Sequence, residues 1–288
     1  MATGTNTLWD RFLAPIVRSF IDEEALQRFD RSVDWEAEVD RLHDSTLVYP
    51  DYYRSQNFHG IRGGYLTSGA AVSYDPITGY VLPPNETWVR QSAIEAITVR
   101  PRRILDLGCG TGSQTLMLKR AFPQAETIGL DFSPYMLFMG EYKAKNAGLE
   151  IGWRHGSAEN TGFADRSFDL IALALVFHET PTEISQAILR ECYRLLSPGG
   201  EVIVLDGNQQ ALRQTDWLTE VFEEPYIKEY SAGNVADWMR QAGFAAVTTR
   251  DFWWIHQVTR GVKPSAGSSP EVAETPDIAD FDLGALAT

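Results

Sequence analysis

From residue 88 to about residue 262, short apolar runs that read as strands alternate with stretches whose apolar residues recur every three or four positions. This alternation constrains the fold most, because strands separated by helix-length connections pair in parallel, and a parallel sheet needs helices on both faces. The rhythm predicts helices over 87–99, 113–121, 134–146 and 182–196, and strands over 103–107, 126–130, 151–155, 168–174 and 201–206. The fourth helix should stop at "SPGG", where Pro198 cannot continue it and Gly199 and Gly200 supply a left-handed exit. Short helices over 217–223 and 234–241 then lead to strands near 244–250 and 253–259, too close in sequence to pair except antiparallel. The expected fold is α/β, a doubly wound seven-stranded mixed sheet.

The flanks differ in character. Leu8, Phe12, Ile16, Val17, Phe20 and Ile21 keep helical spacing, and 36–47 continues as a second mixed helix. Residues 49–86 are rich in Gly, Pro, Tyr and Asn with little periodicity, which is ordered-loop chemistry. We therefore expect an N-terminal helical and loop lid over 1–87, a core over 88–262, and a flexible acidic tail over 263–288. That tail is small, proline-punctuated and without a basic residue after Lys263.

A formal net charge of −14 repels phosphate backbones and anionic lipid surfaces, so nucleic acid is not an expected partner. Cys109 and Cys192 make no disulfide or zinc spacing, and no metal is expected. The N-terminal stretch has no basic start, apolar run or cleavage site of signal type, and nothing later approaches a membrane span. A soluble, cytoplasmic protein is the expectation, with no membrane insertion; the sequence is silent on oligomeric state.

The first strand runs into "ILDLGCGTG", residues 104–112. A phosphate-binding loop would need lysine and Ser/Thr straight after the last glycine, but Ser113, Gln114 and Thr115 follow Gly112. A dinucleotide fingerprint would need a third glycine where Ser113 stands. What remains is Asp106, Gly108, Gly110 and Gly112 in alternation, with Asp131 ending the next strand. In this register the chain resembles the class I S-adenosylmethionine-dependent methyltransferases of small-molecule type, whose fold is Rossmann-like.

The resemblance implies that Gly108, Gly110 and Gly112 let the backbone approach the cofactor, that Asp131 accepts from its ribose hydroxyls, and that Phe132 packs on the adenine. "HGSAENTGF" is similar to the family's polar stretch at the adenine edge, matched by Ser157, Ala158 and Glu159. "FDLIALALVFHE" is similar to the fourth strand and its exit, which places Leu173 beside the cofactor. Cys109 reads as a small buried filler, not a nucleophile.

The acceptor side is less determined. At the exit of the fourth strand His178 matches the Leu-His-His of small-molecule methyltransferases, while Glu179 departs from it; the Pro-Pro-Tyr of enzymes that methylate nucleic-acid bases is absent. His178 either takes a proton from the acceptor or orders its loop. Glu179 either stabilises a developing cation or caps the following helix. "NFHGIRGGYL" resembles the lead-in of tocopherol- and ubiquinone-type methyltransferases, so His59 and Tyr65 either line the cofactor entrance or only pack the lid. "EEPYIKEY" and "DFWWIHQ" offer Tyr226, Trp254 and His256 on the opposite rim, with Trp253 and Trp254 facing opposite ways in a strand. The expected activity is methyl transfer from S-adenosylmethionine to an O, N or C atom of a small aromatic or lipophilic acceptor. The alternatives are an NAD-dependent dehydrogenase and a non-catalytic, cofactor-binding partner subunit.

Overall fold

The computed structural model describes residues 21–61, 63–82, 84–215 and 224–265. The expected helix over 217–223, the apolar pattern before Ile21 and the tail beyond Ser265 lie outside the described residues. Numbered in chain order, the helices before the sheet are α1 (Glu23–Ser32), α2 (Trp35–Leu42), α3 (Asp51–Arg54), α4 (Ser68–Val81) and α5 (Glu86–Glu95). The core follows as β1 (Arg103–Leu107), α6 (Ser113–Ala121), β2 (Glu126–Asp131), α7 (Pro134–Asn146), β3 (Gly152–His155), β4 (Phe168–Ala174), α8 (Thr182–Leu195) and β5 (Leu196–Gly207). It ends with α9 (Gln209–Gln214), α10 (Ile227–Ala232), α11 (Val235–Gln241), β6 (Ala245–Phe252) and β7 (His256–Val262).

The seven strands form one sheet in the order β3-β2-β1-β4-β5-β7-β6, parallel from β3 to β5, with β7 antiparallel to both neighbours. Alternating side chains serve opposite faces. Leu105, Leu107, Ile171, Leu173, Val202 and Val204 pack with Ile188, Leu189, Cys192 and Leu195 of α8. Ile104, Leu170, Ala172, Ile203 and Leu205 pack with Val89, Ala93 and Leu118 on the other face. The chain order reverses between β1 and β4, so the loops leaving their carboxyl ends diverge and open a crevice.

Three expectations are corrected. Residues 49–86 are largely helical: Thr67 caps α4 through its side chain, and Ala70, Ala71 and Val72 bury against Met136 and Met139 of α7. Gly69, Pro76 and Gly79 lower the intrinsic propensity of α4, and tertiary burial overrides them. The strand expected over 253–259 starts only at His256, because Trp253 to Ile255 make the turn from β6. Leu196–Pro198, expected as a helix end, pair as the start of β5, and a register shift against β4 between Phe168 and Leu170 absorbs Gly199 and Gly200.

The N-terminal helices are tied to the core beside the crevice. Trp35 packs edge-on to Phe138, ring centres 4.9 Å apart. Lys143 Nζ binds Asp75 of α4 at 2.6 Å, and Asp75 also accepts from Thr111 in the glycine loop. His155 accepts from the Asp44 backbone at Nδ1 (2.8 Å) and contacts the Phe132 carbonyl through Nε2 (2.8 Å), which fixes its tautomer.

Candidate active site

The crevice is a cleft walled by the glycine loop, the ends of β1, β2 and β4, and the N-terminal helices. Gly110 has φ +52, and a Cβ there would meet no atom within 4 Å, because the position opens into the cleft. Its N–H donates to Asp131 Oδ2 at 2.8 Å, while Ser133 N–H donates to Oδ1 at 2.8 Å, so the carboxylate is aimed by two backbone groups. Burial outweighs those bonds and raises Asp131 to about 6. Asp106 is 1% exposed and raised by burial to about 7, although Thr115 donates to its Oδ2 at 2.5 Å and Arg90 lies near.

Three buried polar atoms on this wall have no partner among the described residues: Asp106 Oδ1, Gln114 Oε1 and Gln114 Nε2. Burying such atoms unpaired costs about 1–3 kcal/mol each. A ligand carrying both donors and acceptors at that end would satisfy them. Arg90, from α5, faces the same space with its Nε held by Glu86 at 2.8 Å. Tyr52, Tyr53, Tyr65 and Tyr74 supply an aromatic wall. Burial raises their phenols, so they stay neutral.

Of the residues singled out in the sequence, Asp106, Gly108, Gly110, Asp131, Phe132, Ala158, Tyr65 and Glu179 lie on the cleft wall. Gly112 lies behind it at the start of α6, where a Cβ would come within 2.5 Å of Trp153. Ser157 and Glu159 are off the wall, and Glu159 accepts from Tyr52, orienting a wall residue from outside. Leu173 is in the core beneath the sheet. Tyr226 hydrogen-bonds the Tyr52 carbonyl at 3.3 Å behind the wall. Trp254 does not line the cleft: it is 54% exposed in the β6–β7 turn, beside Trp253 at φ 45. His256 is buried opposite Gly207 in β5, away from the cleft. Trp254 lies where the chain turns in place of the expected strand, whereas His256 keeps its strand and turns away from the cleft wall.

His59 and His178 converge just beyond Glu179. The Phe177–Glu179 turn follows β4, and Asp206 near the end of β5 accepts from His178 Nδ1 at 2.6 Å, Phe177 N–H at 2.8 Å and Gly207 N–H at 2.7 Å. Burial alone would lower the His178 imidazole; Asp206 reverses this and lifts it to about 9. His59 holds the left-handed φ of 49 in the turn Phe58–Gly60. For a residue other than glycine that conformation costs about 1–3 kcal/mol. Its Nδ1 pairs with Glu224 at 2.8 Å and its backbone N–H donates to the same oxygen at 2.7 Å. Against the desolvating effect of burial, Glu224 and Glu179 raise His59 well above its ordinary value. Glu179 Oε1 lies 3.4 Å from His59 Nε2 and 3.9 Å from His178 Nε2, and accepts from Tyr65 at 2.6 Å.

Sequence reasoning missed Arg90, Gln114, Asp206 and Glu224. Asp206 closes the strand expected over 201–206 and Glu224 lies at the start of "EEPYIKEY", but no spacing links either to a histidine. A polar residue closing an apolar strand is the one signal that marks Asp206.

A methyltransferase-domain family model matches residues 104–200. The demethylmenaquinone methyltransferase of Thermus thermophilus is 40% identical over 119 residues, 41% of this chain and 53% of that protein. The demethylmenaquinone methyltransferase of Anoxybacillus flavithermus is 32% identical over 175 residues, 52% of this chain and 73% of the relative. The chain thus spans about half the length of the most similar of these relatives. Among solved structures, a candidate O-methyltransferase from Nostoc punctiforme superposes with TM-score 0.54 at 20% identity, covering 68% of this chain and 59% of that one. A protein of Pyrococcus horikoshii OT3 superposes with TM-score 0.51 at 16% identity, covering 76% of this chain and 100% of its own. These likenesses are of fold. No helix among the described residues is long and apolar enough to cross a membrane.

Proposed function

This chain belongs to the class I S-adenosylmethionine-dependent methyltransferases, and on that premise we propose that it methylates a small, flat, hydroxylated aromatic acceptor of the quinol type. The carrying observation is the cleft at the β1/β4 switch, where unpartnered Asp106 Oδ1 and Gln114 face an open Gly110. Those groups fit S-adenosylmethionine. Asp106 and Gln114 would hold the ammonium end of its methionine, Arg90 the carboxylate, Asp131 the ribose hydroxyls, and Phe132, Met136 and Ala158 the adenine. When bound, this cofactor supplies an electrophilic methyl on a sulfonium.

The chain's own groups then align the acceptor and exclude water. The tyrosine wall suits a flat ring. With Nδ1 held by Asp206, His178 turns Nε2 toward Glu179; the imidazolium that Asp206 favours donates to an acceptor oxygen, and the neutral ring, reached as the pH rises toward about 9, takes the acceptor's proton. The quinone relatives support an acceptor of this class. Both cysteines are buried and free, which suits the cytoplasmic setting we propose.

Calorimetry with S-adenosylhomocysteine, together with transfer of labelled methyl to reduced quinones and phenols, tests the reading; binding of NAD in place of the nucleoside would overturn it. Asp131→Ala should weaken S-adenosylhomocysteine by about 1–3 kcal/mol, the value of charge-assisted hydrogen bonds. Unchanged affinity would remove Asp131 from the ribose site. Cofactor affinity should also depend on pH. With Asp106 at about 7 and Asp131 at about 6, both are essentially ionised only above about pH 8, and each protonates as the pH falls through its own value. Arg90 and Thr115 face Asp106, and the Gly110 and Ser133 amides and the more distant Glu179 act on Asp131. Affinity should therefore level off above about pH 8 and decline as the pH drops through both values, and a flat profile across the interval would contradict these contacts.

A further inference from the structure

We propose that Nε2 of His59, Nε2 of His178 and a carboxylate oxygen of Glu179 form a three-ligand site for one divalent first-row transition-metal ion, open toward the acceptor side of the cleft. The three ligand atoms already lie within 4.8 Å of one another, with Glu179 Oε1 3.4 Å and 3.9 Å from the two nitrogens. Bonds of about 2.0–2.2 Å to nitrogen and oxygen place ligand atoms roughly 3–3.5 Å apart, so small side-chain rotations close the set. Two histidines with one carboxylate and vacant positions suit iron, zinc or related ions.

Proximity alone would be weak; the outer partners make the difference. A metal-binding histidine is ordinarily oriented by a carboxylate or carbonyl on its other nitrogen, and a ligating carboxylate is itself hydrogen-bonded. Here His59 Nδ1 pairs with Glu224 at 2.8 Å, His178 Nδ1 with Asp206 at 2.6 Å, and Tyr65 donates to Glu179 at 2.6 Å. The Glu224 and Asp206 side chains are 0% exposed, and each is fixed by backbone N–H groups. All three ligands are thus aimed by separate partners toward one point.

The charge count agrees. Asp206, Glu179 and Glu224 bring three carboxylates together, and among the described residues Glu224 Oε2 has no hydrogen-bond partner. Isolated buried charge is prohibitive unless it is paired or binds metal. A divalent ion supplies the same positive charge as two imidazole protons, and leaves both Nε2 lone pairs to bind it. Linear sequence hides the site because His59 belongs to the lid and His178 and Glu179 to the exit of β4.

At the open positions the ion would hold an acceptor hydroxyl as its oxyanion, the proton passing to solvent, so that His178 Nε2 serves as ligand and the proton step otherwise assigned to it falls to the ion. That role rests on the methyltransferase reading; metal binding does not. The test is titration of the EDTA-treated full chain with Co²⁺, followed by visible absorption, with S-adenosylhomocysteine calorimetry on the same samples. The wild-type chain should bind a single equivalent, and His59→Ala and His178→Ala should lose the band. Glu224→Gln, which alters only an outer partner, should weaken Co²⁺ by about 10- to 100-fold. S-adenosylhomocysteine affinity should persist in every variant, reporting an intact fold. No stoichiometric Co²⁺ band in a chain that binds S-adenosylhomocysteine, or an undiminished band in His59→Ala, overturns the metal site. Co²⁺ binding in a chain that fails to bind the nucleoside upholds the site and overturns the methyltransferase reading.

Discussion

Gly110→Val should lose S-adenosylhomocysteine binding by more than about 100-fold, equivalent to more than about 2.7 kcal/mol. Two effects combine. The residue sits at φ +52, where a β-branched side chain is a genuine outlier. The space a Cβ would enter is also empty only because it belongs to the cleft. The substitution therefore fills the volume needed by the ligand, and it shifts the N–H that aims Asp131 Oδ2 at 2.8 Å. A control separates strain from occupancy. Gly148 shares the left-handed backbone, φ +65, and also meets no atom within 4 Å, but it closes the end of α7 away from the cleft. Gly148→Val should lower Tm and leave nucleoside affinity unchanged. If Gly110→Val behaved the same way, the ligand would lie elsewhere.

The contrast between these glycines shows what a sequence discloses. The glycine run and Asp131 are legible because they belong to one strand-loop-helix-strand unit, whose geometry follows from local spacing. β1, α6, α7 and β4 have the residue limits that alternation and capping predict, since each buries a continuous apolar stripe. Helix α4 is hidden because its stability comes from Met136 and Met139, which lie far along the chain, while its own glycines and Pro76 argue against it. Arg90 and Gln114 look like ordinary helix residues until folding turns them to the crevice. The carboxylates behind the two histidines are hidden for the same reason, as no local pattern couples residue 59 to 224 or 178 to 206. Trp254 fails in the opposite direction: aromatic residues in a run invite a strand, but the left-handed φ of Trp253 bends the chain into a turn and leaves them exposed.

His178→Ala should reduce kcat by about 10²- to 10⁴-fold, the usual contribution of a positioned proton-transfer group. Cofactor affinity should stay near the wild-type value, because His178 is not on the wall formed by Asp106, Gly110 and Asp131. Asp206→Asn removes the other member of the same buried pair. The carboxylate accepts from Phe177 and Gly207 N–H groups as well as from the ring, so an amide, with a single acceptor oxygen, leaves one buried donor without its partner. That deficit costs about 1–3 kcal/mol and should appear as a lower Tm. The ring would meanwhile lose the partner that fixes its orientation, and kcat should fall too. Steady-state kinetics, thermal unfolding and nucleoside calorimetry follow both variants: each should lose turnover and stability, His178→Ala because the buried Asp206 carboxylate loses its imidazolium partner, while nucleoside binding persists. Full turnover in His178→Ala would show that the ring orders its loop and touches no acceptor. Full stability in Asp206→Asn would show that the strand end and the turn are held together by other contacts.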